Sequence, residues 1–259
     1  MSDRVSVYSK RVFLLGPSHH WYLAECALSR CAAYETPLGD LAIDRETTDE
    51  LYKTGKFKWM PQSVDEDEHS LEMHLPYIHK MLSRQFSNEA IFPKLVPIMV
   101  GNTSAATERQ FGQILAPYLA DPDNAFVISS DFAHWGLRFN YTYYEPNNKS
   151  PVKLRQSDKS PQDPPIHQSI KQVDFRCMGA CETGSHAEWL KVLADTGNTV
   201  CGRHPIGVIM SAIEVLESQD ESSNGARRFK FVRYERSSEC RRINESSVSY
   251  CSAFAVMES

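Results

Sequence analysis

The sequence predicts an α/β fold, and three observations carry that prediction. Apolar runs at 12–15, 95–100, 125–128 and 229–234 read as strands, the first of them buried. Stretches with apolar residues at helical spacing lie between them, and strands alternating with helices point to a sheet flanked by helices. The first run, VFLL, stops at Gly16-Pro17 and delivers Ser18, His19 and His20 onto a loop at a strand end. In α/β proteins that is where ligands and catalytic groups gather.

The helical stretches follow in order. Residues 47–53 read as a short capped helix, with Thr47 before Asp49 and Glu50. Residues 70–84 carry Leu71, Leu75, Ile78 and Leu82 at helical spacing, interrupted by Pro76. Residues 104–119 place Phe111, Ile114 and Leu115 on one face. Residues 206–216 repeat the pattern after Pro205, a good residue for a first turn. Segment 146–165, PNNKSPVKLRQSDKSPQDPP, breaks the series. It has too few apolar residues to offset its ordering entropy and is expected to be a mobile, disordered insertion. Residues 166–259 read as too poor in strands to close a core alone, and 218–228 as a second exposed loop.

Length allows one large domain or two small ones: the chain has 259 residues. A net charge of −5 gives no electrostatic case for nucleic acid or an anionic membrane. No apolar run approaches the roughly 20 residues of a membrane span. The start, MSDRVSVYSK, lacks the apolar core of a signal peptide. Seven scattered cysteines do not form a secreted disulfide framework. Cys177 and Cys181 lie four apart, with no second pair to complete a zinc ribbon. A cytoplasmic location is expected, with the nucleus as a second.

Three segments share one design, an apolar element followed by a sharp turn and polar groups. They are Gly16 to His20, Ser129 to Gly136 and Cys201 to Gly207. Together they offer His20, Asp131, His134, Cys201, Arg203 and His204. Imidazole and thiolate ligate iron, copper or zinc, and a carboxylate beside an imidazole orients it. Each residue also has an ordinary reading. The histidines can be hydrogen-bonded loop residues, Asp131 a turn or cap residue and Cys201 a small buried hydrophobe. Arg203 can be a surface ion-pair partner.

A fourth segment, DEDEHSLEMHLPY, places His69 and Glu72 three apart on one helical face. They line a pocket or cap the helix; its acidic start reads as a solvated loop or first turn. The zinc-protease pattern H-E-x-x-H, a GxSxG elbow, a Walker A loop and GxGxxG are all absent. No carboxylate pair makes a case for a glycosidase.

At LLGPSHH, TPLGDLAID, TGKF, DEDEHSLEMHLPY, SSDFAHWG, CGRHPIGV and SSVSY the chain resembles the Memo family, named as mediators of receptor-driven cell motility. The resemblance runs from Arg11 to the C-terminus, apart from 146–165. It implies a fold similar to class III (extradiol) non-haem iron dioxygenases. That is a single domain over 1–259 with a mixed central sheet flanked by helices. It implies a two-His-plus-Cys pocket for iron or copper, in which His20 matches the second His and Cys201 the Cys. Asp131 and His134 match the polar pair beside it, in the catalytic position. His19, His69, Glu72, Arg203 and His204 are the candidates for substrate or peptide contacts. A Cys in place of the dioxygenase carboxylate does not imply ring cleavage, and a metal-dependent oxidase or redox activity stays open. A soft thiolate favours Cu(I). The implied partners are phosphotyrosine segments of receptor tyrosine kinases and cytoskeletal regulators, with Arg203 and Arg138 as anion-binding groups. The implied role is signalling to the cytoskeleton and cell motility, through redox chemistry or as a non-enzymatic adaptor.

The family's first metal His lies in a His-Ala-Gly-Tyr motif on a strand before GPSHH, and this chain has MSDRVSVYSK there instead. The first strand and a third ligand are therefore expected to be missing, as in an exon-skipped isoform or an incomplete gene product. An inactive truncated form is the third reading of the chain.

Overall fold

The computed structural model describes residues 10–147, 149–220 and 227–257. The chain divides into two compact units, one from Met1–Ser129 and Gly202–Leu216, the other from Ser130–Cys201 and Glu217–Met257.

The first unit holds β1 (Arg11–Pro17), β2 (Cys26–Leu28), β3 (Ala33–Tyr34), β4 (Leu41–Ala42), α1 (Arg45–Lys53), β5 (Phe57–Trp59), α2 (Gln62–Asp67), α3 (His69–Glu72), α4 (Leu75–Gln85), β6 (Lys94–Val100), α5 (Ala105–Ala120) and β7 (Asn124–Ile128). Its central sheet runs β5-β2-β6-β1-β7. β1 lies parallel to β6 and to β7, with Phe13 between Val96 and Phe126. β2 is antiparallel to β6 and parallel to β5, so the sheet is mixed, as the α/β expectation required. Val12 to Leu15 are fully buried, which is why this strand reads as a continuous apolar run.

Alternate residues of β1 serve opposite faces. Val12 and Leu14 join Leu71, Leu75, Ile78 and Leu82 of α3 and α4 in one core. Phe13 stacks on Phe126 at 4.6 Å and meets Tyr118 of α5 at 5.3 Å. Each such buried side chain contributes about 2 kcal/mol. The helix α8 (Arg203–Gln219) returns to this unit as far as Leu216. It packs on α5 at Gly112, where a Cβ would lie 2.6 Å from Ser211 Cβ and 2.8 Å from the Ala212 nitrogen.

The second unit holds β8 (His134–Trp135), β9 (Tyr143–Tyr144), β10 (Val152–Lys153), α6 (Ile166–Glu182), α7 (His186–Thr196), β11 (Lys230–Arg236) and β12 (Ser247–Phe254). β11, β12 and β8 form an antiparallel sheet in that order, and β9 pairs with β10. Trp135, Tyr141, Tyr144, Leu154, Ile166, Ile170 and Ile243 belong to one apolar cluster there. Asp174, fully buried, accepts from Asn198 Nδ2 at 2.9 Å, Tyr234 Oη at 2.9 Å and Ala133 N at 3.2 Å. Burial outweighs these bonds and pushes its carboxyl above the ordinary range.

The structure corrects several expectations. Segment 146–165, expected to be disordered, supplies β10 and buries Leu154. Polar bonds hold it where apolar burial is scarce: Leu154 N donates to Thr142 O at 3.0 Å, and Tyr144 Oη donates to Pro164 O at 2.8 Å. Helix α1 starts at Arg45 because Asp44, not Thr47, is its cap, accepting from Thr47 N at 3.1 Å. The helix expected over 70–84 is two, α3 and α4, with Pro76 in the first turn of the second. Residues 166–259 contribute only β11 and β12 as strands among the described residues, and these share their unit with 130–165, as the expected scarcity of strands required. Most of the loop expected at 218–228, and the stretch where a missing first strand was inferred, lie outside the described residues. No helix among the described residues is long and apolar enough to cross a membrane.

Candidate functional site

β1 ends at the Gly16-Pro17 break, and the loop that follows meets α3. A Cβ at Gly16 would lie 2.6 Å from Ser70 Oγ and 2.9 Å from Leu71 Cδ2, so glycine lets α3 approach. Ser70 Oγ then donates to Pro17 O at 2.8 Å. This contact sets Glu68, the cap of α3, beneath the histidine loop. Glu68 Oε2 accepts from His19 N at 2.7 Å, and Oε1 accepts from Ser70 N at 2.9 Å. His19 Nδ1 lies 2.8 Å from the same Oε1, and His69 Nδ1 lies 3.6 Å from it. The His19 and His69 rings stack at 4.4 Å.

The Glu68 side chain is 1% exposed. Burial opposes its ionisation, but the bonds from the His19 ring, His19 N and Ser70 N outweigh it and hold the carboxyl down at about 2. His19, Glu68 and His69 each offer a ligand atom, all within 4.8 Å of one another. His20, the expected metal ligand, is exposed and outside that group; its ring lies 5.9 Å from that of His69. Glu72 is exposed on α3 and also outside it. Capping of this helix falls to Glu68 rather than to His69 or Glu72.

Asp131, His134 and Cys201 come together in the second unit. Asp131 N donates to Cys201 Sγ at 3.0 Å, and Cys201 N donates to Asp131 O at 3.3 Å. His134 Nδ1 faces two carbonyl oxygens, Phe132 O at 3.0 Å and Thr199 O at 3.1 Å. Both are acceptors, so Nδ1 carries a proton and donates. Nε2 lies 3.8 Å from Asp131 Oδ2. The His134 ring packs on Phe139, over which exposed Arg138 stacks at 4.4 Å.

Arg203 and His204 open α8 in the first unit. His204 Nδ1 faces Glu108 Oε1 at 2.7 Å, and its Nε2 faces Asn102 Oδ1 at 2.9 Å. Glu108, almost fully buried on α5, also accepts from Thr103 Oγ1 at 3.2 Å. A Cβ on Gly207 would overlap this carboxylate, so glycine makes its room. The sequence reading missed Glu68 and Glu108 as partners of the histidines. Adjacency of Glu68 to His69 was the one available signal. A cavity of about 530 Å³ lies among Trp21, Tyr22, Arg30, Tyr52 and Trp59, and none of the predicted site residues lines it.

The Memo-like protein family matches residues 4–254. Protein MEMO1 of Danio rerio is 41% identical over 249 residues, covering 96% of this chain and 76% of that one. Protein MEMO1 of Homo sapiens is 42% identical over 242 residues, covering 93% and 74%. The protein memo-1 homolog of Caenorhabditis elegans is 38% identical over 249 residues, covering 96% and 64%. A crystal structure of an uncharacterized protein, JW3007, from Escherichia coli K12 superposes with a TM-score of 0.52 at 12% identity. It covers 93% of this chain and 86% of that one, and supports a related fold. Identity sustained over nearly the whole chain settles the family: the chain belongs to the Memo-like proteins.

Proposed function

We propose that this Memo-family chain carries signals from receptor tyrosine kinases to the cytoskeleton and cell motility, with iron or copper redox chemistry as its metal-dependent part. Family membership over almost all of the chain is the observation that carries this reading. On it, residues 1–259 act as one Memo-like domain, in the cytoplasm and the nucleus.

The donor chemistry fits a metal. Cys201 Sγ accepts the Asp131 N–H at 3.0 Å, a bond that holds the sulfur in place. His134 Nε2 faces the Asp131 carboxylate at 3.8 Å, a pair suited to holding and passing a proton. An iron or copper ion, when bound, supplies one-electron chemistry. His20 and Cys201 are the family-implied ligands; they belong to different units and are tested separately. Elemental analysis of the parent, His20→Ala and Cys201→Ala after purification measures this. Lower iron or copper in either variant is expected, and equal content in all three refutes the assignment.

One observation favours the adaptor reading. Arg138 is exposed and rests on the Phe139 ring, an arrangement that presents a guanidinium to a phosphate beside an aromatic surface. Arg203, partly buried at the start of α8, is the second cation of this reading. A phosphotyrosine peptide titrated against the parent and Arg138→Ala should lose affinity in the variant. Equal binding of the peptide and its unphosphorylated twin to the parent refutes this reading.

A further inference from the structure

We propose that the cavity of about 530 Å³ beside α1 and β5 is a mononucleotide site, with the base among aromatic side chains and the phosphate on Arg30 and Lys58. Every residue that lines it belongs to the first unit. It shares no residue with the candidate sites described above, so it stands or falls apart from them.

The cavity has two built walls. One is the loop that carries Trp21, Tyr22 and Glu25, and the end of β6 holds it. Asn102 N donates to Leu23 O at 2.7 Å, and Gly101 N donates to Glu25 O at 2.9 Å. Gly101 permits this approach, because a Cβ there would lie 2.1 Å from Leu23 O. Ser18 Oγ adds a bond to Trp21 O at 2.6 Å. The other wall is Tyr52 of α1 stacked at 4.6 Å on Trp59 of β5, which the sheet fixes by pairing with Leu28. Tyr22 is 81% exposed and Tyr52 is 42% exposed, so aromatic surface here is open to a flat ligand. Stacking on such side chains is the usual way a protein holds an unpaired base.

The charges select an anion. Arg30 lies 5.4 Å over the Trp59 ring, and neither it nor Lys58 forms an ion pair among the described residues. Arg45, also over Trp59 at 5.3 Å, is already bonded to Ser29 O and Asp49. A guanidinium stacked on an indole keeps its N–H edge for bidentate binding of phosphate. Arg30 and Lys58 outnumber Glu25, the one carboxylate on the cavity, and Glu25 is an acceptor for sugar hydroxyls. A phenyl phosphate leaves that acceptor and much of the aromatic surface unused, whereas base, sugar and phosphate together use all of it. The chain has no glycine-rich phosphate loop, so side-chain cations do this work.

The test is calorimetric titration of the full chain, in chelator, with AMP, adenosine and ribose 5-phosphate. AMP and adenosine are titrated again into Arg30→Gln, Lys58→Gln, their double variant and Arg138→Gln, each first checked by circular dichroism. Arg30 and Lys58 are both exposed, so either single variant keeps the test open if the other misfolds. One AMP per chain is expected, with adenosine and ribose 5-phosphate each bound at least about tenfold more weakly. Each cavity variant should weaken AMP at least about tenfold and leave adenosine unchanged, while Arg138→Gln binds as the parent does. No AMP binding by the parent, parent-like AMP binding in the double variant, or free phosphotyrosine bound as tightly as AMP each overturns the proposal.

Discussion

Replacing Glu68 with Gln tests how much of the fold depends on one buried carboxylate. In the folded chain its ionisation is favoured from the ordinary 4.5 down to about 2. That difference corresponds to about 3 kcal/mol of stability. The side chain is 1% exposed, so solvent screens little of it. Gln offers one acceptor where the carboxylate accepts from His19 N, the His19 ring and Ser70 N, and its NH₂ faces donors. Glu68→Gln should therefore lower unfolding stability at pH 7 by about 3 kcal/mol. The folded pKa is depressed, so this contribution is complete above 4.5 and is lost as pH falls through about 2. Urea unfolding of parent and variant, both in chelator, measures it at intervals between pH 7 and pH 2. The gap should close across pH 5 to 2. A gap that stays constant over that range, or is absent at pH 7, refutes the electrostatic account.

The remaining predictions use the same assays. Gly112→Ala should destabilise by about 2 kcal/mol, since its Cβ meets the α8 backbone, which cannot rotate away; an unchanged melting temperature contradicts the packing described. His204→Ala removes a close partner of buried Glu108, at 2.7 Å, and should cost about 3 kcal/mol, with much of the loss recovered in the double variant His204→Ala/Glu108→Gln. Leu14→Ala, deep in the central strand, should cost about 2–5 kcal/mol by thermal unfolding. Asp174 has the opposite sign to Glu68. Its folded pKa is raised, so the parent's stability relative to Asp174→Asn should be greatest below pH 3.8 and fall as pH rises.

How far the sequence could be read depended on where polar groups sit. β1, β6 and β7 are buried apolar runs or edges of one, and their composition declared them. β2 and β5 have three residues each, too short for any periodicity to register. α6 was overlooked although Ile166, Ile170, Val173, Cys177 and Cys181 line its buried face. His167, Ser169 and Asp174 are buried on the same helix, and these polar residues masked the apolar stripe. Segment 146–165 misled for the converse reason: side-chain and backbone hydrogen bonds, which composition does not display, fasten it. Of the candidate site, the histidine loop and the Asp131–His134 turn were legible because a break follows a strand. Glu68 was not. It sits in an acidic run where charge ordinarily means solvent, and only the packing of α3 on β1 buries it.

Gly16 explains why two distant motifs behave as one. GPSHH and DEDEHSLE are separated by more than forty residues, and neither alone places a carboxylate under an imidazole. A side chain at position 16 would strike Ser70 and Leu71 and hold α3 away. With glycine there, Ser70 bonds to Pro17 O, its own N–H turns to Glu68, and Glu68 receives the His19 backbone. The cap of α3, the turn after β1 and the two stacked imidazoles are thus consequences of a single close approach. A Gly16→Ala chain should lose about 2 kcal/mol in urea unfolding as α3 is pushed off β1, and parent-like stability refutes the close approach.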